Sequence, residues 1–189
     1  MKVLFLGPNN SPLIAFLRAD GTEVSQLELP ISIIDTRHYD FLISYGYRFI
    51  IESEILSLFS NRAINLHISY LPWNRGADPN FWSFVDNTPK GVTIHHLDEG
   101  IDTGNIIVQK QIEFTPSENT LRKTYDRLQR ELQRLFIENW DNIRNGKLPS
   151  KKQPPGGSFH RKADRLLYEY LLKDGWNTRT LLLGKHFNS

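Results

Sequence analysis

Short apolar runs recur along this chain at residues 2–6, 41–44, 63–68 and 91–97, and stretches with helical spacing lie between them. Runs of this length suit buried strands and fall well short of the roughly seventeen residues that a membrane-spanning helix needs. Strands alternating with helices imply an α/β protein with a mostly parallel sheet flanked by helices. A chain of 189 residues is long enough to bury a core of its own, and we expect one domain over residues 1–189. The sequence contains no cysteine, which excludes disulfides, thiolate metal sites and cysteine nucleophiles together. The apolar start runs into Gly7, Pro8, Asn9 and Asn10 after six residues, too short for a signal-peptide core, so a cytoplasmic protein is expected.

Local signals place the other elements. Ser11 offers an N-cap oxygen, Pro12 sits at the first helical position, and Leu13, Ile14, Phe16 and Leu17 form an apolar face that Asp20-Gly21 ends. Residues 22–29 alternate like a second strand. A short helix is expected over 51–59 and another over 79–86, and 105–113 reads as a further strand. The clearest helix covers about 119–145, where Leu121, Tyr125, Leu128, Leu132, Leu135, Phe136 and Ile143 recur at helical spacing before Gly146. Residues 151–157 form a Pro/Gly/Lys loop. A carboxyl-terminal tail follows over 158–189, with a last short helix at 166–172.

The net charge of +2 is unevenly spread. Residues 1–100 hold 7 Lys/Arg and 11 Asp/Glu, while residues 101–189 hold 16 and 10, so the two parts carry −4 and +6. A basic second half can steer an anionic partner, but Arg122, Lys123, Arg127, Arg130 and Arg134 also suit the wet face of the long helix, and that plainer reading is preferred.

Chemistry concentrates between Asn65 and Gln109. Residues two apart on a strand point the same way, so Asn65 and His67 can face one reacting atom. An Asn N–H can stabilise an oxyanion, and His suits proton transfer near neutral pH. Asp102 follows in the loop Asp98-Glu99-Gly100-Ile101-Asp102-Thr103-Gly104, from which its carboxylate can orient His67 or relay a proton. Taken alone, Asn-x-His at a strand end is more often a structural pair than a catalytic one. Structural roles suffice for His95 and His96, and His38, His160 and His186 have no spacing that assembles a metal site. No serine lies in a Gly-x-Ser-x-Gly elbow. The turn Gly7-Pro8-Asn9-Asn10-Ser11 lacks the later glycines of a dinucleotide fingerprint.

The ordered set is more specific than its parts. Phe41-Leu-Ile-Ser-Tyr-Gly-Tyr47, Asn65-Leu-His-Ile-Ser-Tyr-Leu-Pro72, Arg75-Gly76, Gly91-Val-Thr-Ile-His95 and Asp102-Thr-Gly104 follow one another with matching gaps. Together they resemble the folate-dependent formyltransferases, which include methionyl-tRNA formyltransferase, glycinamide ribonucleotide transformylase and the N-formyltransferases of nucleotide-linked amino sugars. The resemblance spans about 40–114, with a fainter echo in Ser158-Phe-His-Arg-Lys162. Ile68 stands where the tRNA and purine enzymes usually have proline, and Tyr70-Leu-Pro-Trp-Asn-Arg-Gly-Ala-Asp-Pro-Asn80 looks more like the sugar enzymes.

The resemblance implies a Rossmann-like fold, shortened on its amino-terminal side, and 10-formyltetrahydrofolate as the formyl donor. It puts Asn65, His67 and Asp102 on the family's catalytic positions, with Asn65 and protonated His67 stabilising the oxyanion and Asp102 holding the ring. Tyr45, Gly46, Arg48, Phe49, Ile50, Leu97, Glu99 and Gly100 would line the folate site, and no metal is expected. Trp73, Asn74, Arg75, Gly76 and Asn80 would meet a small amine substrate bearing phosphate, with a nucleotide-linked amino deoxysugar of surface polysaccharide synthesis as the best candidate. Formylation of another small amine, hydrolysis of the formyl-folate, and a degenerate folate- or nucleotide-binding module stay open as alternatives. No membrane partner is expected, and a homodimer is compatible with the sequence. About 30 residues follow the Pro/Gly loop, too few for the RNA-binding barrel of the tRNA enzyme, so nucleic acid is not an expected partner.

Overall fold

A computed structural model describes residues 1–184; His186 and the rest of 185–189 lie outside the described residues. The first strand, β1 (Lys2–Leu6), ends at Gly7, where the chain passes so close to Tyr45 that a Cβ would stand 2.0 Å from its carbonyl oxygen. Ser11 Oγ accepts the Leu13 N–H at 3.3 Å and caps α1 (Pro12–Ala19), with Pro12 in its first turn. Next come β2 (Glu23–Leu27) and a four-residue helix that periodicity did not announce, α2 (Ile33–Thr36). A reciprocal cap builds α2, with the Asp35 carboxylate accepting both the N–H and the hydroxyl of Ser32 at 2.7 Å. The chain continues through β3 (Phe41–Tyr45), α3 (Ser53–Phe59), β4 (Ala63–His67), β5 (Arg75–Gly76), α4 (Pro79–Val85), β6 (Gly91–His96) and β7 (Ile106–Gln111). The long helix α5 (Leu121–Arg144) and β8 (Phe159–His160) follow, and 3-10 turns at Asp164–Leu171, Gly175–Asn177 and Thr180–Leu182 end the described chain.

Six strands form the main sheet in the order β2-β1-β3-β4-β6-β7, and β5 pairs with β8 in a separate two-stranded ribbon. The first four strands are parallel, as expected, but β6 runs antiparallel to both β4 and β7. The reason is where the chain returns. Residues 68–90 bring it back to the end of β4 that it left, so that Thr93 faces His67, and a strand starting there must run the other way.

Each sheet face is covered differently. One side of β1, β3, β4 and β6, including Phe5, Ile43, Ile64, Leu66 and Ile94, packs under Leu13 and Leu17 of α1 and Leu128, Leu132, Phe136 and Trp140 of α5. The opposite side, with Leu4, Leu6, Leu42 and Ala63, packs under Ile55, Leu56 and Phe59 of α3. Within α5 the expected apolar face is buried except for Tyr125, which is exposed, while Thr124 and Trp140 are added to it. Two of the five basic residues expected on its wet face are in ion pairs, Arg127 with Glu118 and Glu131 and Arg134 with Glu138.

Candidate active site

Alternation along β4 sends Ile64 and Leu66 into the core and leaves Asn65 and His67 on the α3 side. The α3 cluster takes in Ala63, the first residue of the strand, and the polar residues follow it. Antiparallel pairing then sets His95 opposite Asn65 and Thr93 opposite His67. Two strands thus deliver an amide and two imidazoles to one patch of sheet.

The loop after β6 brings the carboxylate. Asp102 has a left-handed backbone, with φ +55, and Gly104 lies so tight against the strand that a Cβ would fall 1.8 Å from the His96 carbonyl oxygen. Asp98 Oδ1 accepts from the Thr103 hydroxyl at 2.6 Å, and Gln153 Nε2 donates to the carbonyls of Asp102 and Gly104 at 2.8 and 2.9 Å. In this position Asp102 Oδ1 accepts Asn65 Nδ2–H at 2.9 Å and lies 3.4 Å from His95 Nε2. Its Oδ2 accepts the Gly76 N–H at 2.8 Å and lies 3.7 Å from His67 Nδ1.

Burial by itself would push the Asp102 carboxyl up. The neighbouring His67, then the hydrogen bond and charge of His95 and the Gly76 amide, outweigh burial and hold it far below the usual carboxylate range. Asp102 is therefore a fixed negative charge at any ordinary pH. Carbonyl partners assign one proton on each ring. His67 Nε2 donates to the Asn74 carbonyl at 3.1 Å, and His95 Nδ1 donates to that of His96 at 2.8 Å, since a carbonyl only accepts. The second nitrogen of His67 faces the Asp102 carboxylate. The two rings stand edge to face, 6.4 Å apart.

The other expected site residues separate into exposed and internal ones. Gly46, Arg48, Glu99 and Gly100 are exposed, as are Phe49, Ile50 and Ile101, at 45, 79 and 47%. Large apolar side chains held out to solvent on the loops after β3 and β6 give a flat heteroaromatic ring something to pack on, which fits a folate. Leu97 is half-buried against the α3 cluster. Tyr45 is buried, with its hydroxyl between Gln129 and Gln133 of α5, and burial pushes it up to about 12. Its side chain therefore belongs to the core, leaving only its backbone to a ligand.

Trp73 and Arg75 are half-buried near the site, and Gly76 contributes its N–H to Asp102. Asn74 and Asn80 require correction as substrate contacts. Asn74 is 0% exposed, and Thr88, Ser158 and His67 occupy its side chain and backbone. Asn80 is buried with its Nδ2 on the Leu121 carbonyl. His95, for which a structural role suffices, is 1% exposed and reaches both Asn65 and Asp102. Only the strand register, which no local pattern records, could have revealed this. Among the described residues no group of three or more His, Asp or Glu side chains is placed to hold a metal ion, and no helix is long and apolar enough to cross a membrane.

A family model described as formyl transferase matches residues 22–139, more than half of the chain. The crystal structure of the formyltransferase PseJ from Anoxybacillus kamchatkensis, in complex with UDP-4,6-dideoxy-4-formamido-L-AltNAc and tetrahydrofolate, superposes with a TM-score of 0.93 at 49% identity, covering 97% of each chain. Methionyl-tRNA formyltransferase of Thermodesulfovibrio yellowstonii is 38% identical over 117 residues, which are 60% of this chain and 37% of that protein. The dTDP-4-amino-4,6-dideoxyglucose formyltransferase of Mycobacterium bovis is 34% identical over 103 residues, 54% of this chain and 44% of that one. The chain thus spans only about two fifths of these two curated relatives.

Proposed function

The chain belongs to the formyl transferase family, and from that premise we propose that it moves the formyl group of 10-formyltetrahydrofolate to the 4-amine of a UDP-linked 4-amino-4,6-dideoxy sugar. The observation that carries the substrate is the 49% identity, over 97% of both chains, to a protein held in complex with such a 4-formamido sugar nucleotide and tetrahydrofolate. On this reading the described residues act as one catalytic unit in the cytoplasm.

The donor supplies an activated formyl carbon, and the roles of this chain's residues follow from their partners. Asn65 and His67 share one face of β4; their N–H groups, held in the free protein by Asp102 and by the Asn74 carbonyl, are the donors that the formyl oxygen would engage as it gains negative charge. Asp102 stays ionised and acts by orienting His67 and Asn65, because a carboxyl held so far down is a poor proton acceptor. The proton that the amine loses on attack is then left to the imidazole of His67 or to water, either of which can return it to the donor nitrogen as its bond to the formyl carbon breaks. Phe49, Ile50 and Ile101 would pack on the pterin, and Arg75, half-buried beside Gly76, would meet a phosphate.

The test is a transfer assay with 10-formyltetrahydrofolate and a panel of nucleotide-linked amino sugars, read by mass spectrometry of the sugar. One added formyl group on a UDP-linked 4-amino sugar is expected, and His67→Ala should lower turnover at least about a hundredfold. Folate consumed with no formylated amine would replace this reading by hydrolysis.

A further inference from the structure

Neither His67 nor Asp102 is held by its own strand or loop alone. Each is tied to the backbone of one short segment, residues 74–76. The Asn74 carbonyl accepts His67 Nε2–H at 3.1 Å, and the Gly76 N–H donates to Asp102 Oδ2 at 2.8 Å. This segment has no regular structure of its own to keep its shape. Asn74 and Gly76 are both left-handed, with φ +56 and +87, and β5 is two residues long.

Its shape comes from a strand 84 residues further along. The Asn74 N–H donates to Ser158 Oγ at 2.9 Å, and the Ser158 hydroxyl donates to Asn74 Oδ1 at 3.2 Å. The Arg75 N–H then donates to the Ser158 carbonyl at 3.0 Å and the Ala77 N–H to the His160 carbonyl at 2.9 Å. At the far end the His160 ring stacks on Trp82 at 3.9 Å, with Nε2 2.8 Å from Asp86 Oδ2. The approach is close enough that a Cβ on Gly157 would stand 2.1 Å from the Pro72 carbonyl oxygen.

We propose that Ser158 is a positioning residue of the formyl-transfer site, its hydroxyl fixing through Asn74 the carbonyl that orients His67. The chemistry of the pair demands a hydroxyl. Asn74 presents a buried donor and a buried acceptor to the same atom, and a hydroxyl alone among small groups accepts from one while donating to the other. Asn74 is wholly buried, so removing that oxygen takes from it the partner of both a donor and an acceptor. The strand that Ser158 opens extends the effect to the Gly76 amide and so to Asp102.

The kinetic part of this inference rests on the formyl-transfer reading, and a spectroscopic part does not. Ser158→Ala is expected to lower kcat at least about tenfold while KM for both substrates stays within about twofold, since the loss is of orientation. Ser158→Thr, which keeps the hydroxyl, should restore most of it. Thr178→Ala is the matched control, because it also deletes a hydroxyl that accepts a backbone N–H, that of Asp174 at 3.2 Å, but in the carboxyl-terminal turns. It should lower the melting temperature without moving kcat. In protein labelled with ¹⁵N-histidine, and with no substrate present, the His67 Nε2–H resonance, assigned with His67→Gln, should shift in Ser158→Ala and stay put in Thr178→Ala. An unmoved resonance, or a Ser158→Ala variant that loses only substrate affinity, overturns the proposal. A shifted resonance in a protein that formylates no amine supports the positioning and overturns the formyl-transfer reading alone.

Discussion

Asp102 receives opposite pushes from its surroundings, and their resultant sets a pH dependence. Burial raises its carboxyl, while His67, His95 and the Gly76 amide bring it well below the ordinary 3.8. A carboxyl depressed by folding stabilises the native state fully above its unfolded value and loses that contribution as pH falls toward the folded value. In Asp102→Asn the charge is gone and the shape is kept. The variant's stability deficit should therefore be constant above about pH 5 and shrink below about pH 4. Urea unfolding of both proteins at pH 7 and pH 3 measures it, and an equal deficit at the two pH values would refute the assignment. The same variant should lose at least about a hundredfold in kcat, because both His67 and Asn65 lose their orienting partner. At this scale the structure brings Asn65, His67 and Asp102 together, adds His95 to them, and turns Asn74 and Asn80 inward to protein partners. Residue type shows what a side chain can do, but the number of partners already satisfied by its neighbours is a tertiary fact.

Among the elements, α5 and the β5–β8 ribbon stand at opposite ends of legibility. The 24 residues of α5 repeat their apolar spacing often enough to declare themselves, and Trp140 anchors the helix. Its ring meets Phe41 edge-on at 5.3 Å and Phe136 at 5.1 Å, and its Nε1 donates to Asp20 at 3.3 Å. Trp140→Ala should cost about 3–5 kcal/mol in chemical denaturation, the range for emptying a large buried aromatic site. A loss under about 1 kcal/mol would mean that α5 does not bear on the core as described. Strands of two residues have no period to detect, so β5 and β8 were invisible in the sequence. Their importance shows in Gly76, whose Cβ would stand 2.3 Å from the His160 carbonyl oxygen at φ +87. Gly76→Ala should part the ribbon and lower kcat at least as far as Ser158→Ala does. The ribbon lies outside the main sheet, so the far-UV circular dichroism should remain that of the native protein. Full activity in this variant would show that the ribbon does not hold the site.

For the whole molecule, the readable quantity is linkage between folding and ligand. Tetrahydrofolate at about 100 times its Kd should stabilise the native state by about 2.7 kcal/mol. For a chain of this size that is a rise in melting temperature of about 5–10 °C. No rise at saturating folate would remove the folate from the reading. The charge asymmetry between the two parts of the chain also finds its explanation at this scale. Arg127 and Arg134 are engaged with glutamates, and Arg144 with Asp20 and Asp141, so much of the basic excess serves the packing and solvation of α5.

Properties with a local cause were settled by the sequence alone. The two-residue repeat of a strand put Asn65 and His67 on one face, the helical repeat marked α5, and Ser11-Pro12 opened α1, because each depends on neighbours a few positions away. Contacts between distant residues were decided by the tertiary structure alone. The direction of β6 follows from which end of β4 the chain returns to, and that direction sets His95 against Asn65. The left-handed turn at Asp102 and the clasp between Asn74 and Ser158 join residues 26 and 84 positions apart. No local preference encodes such pairings, since each is fixed by the register of the whole sheet and by which buried polar groups still need a partner.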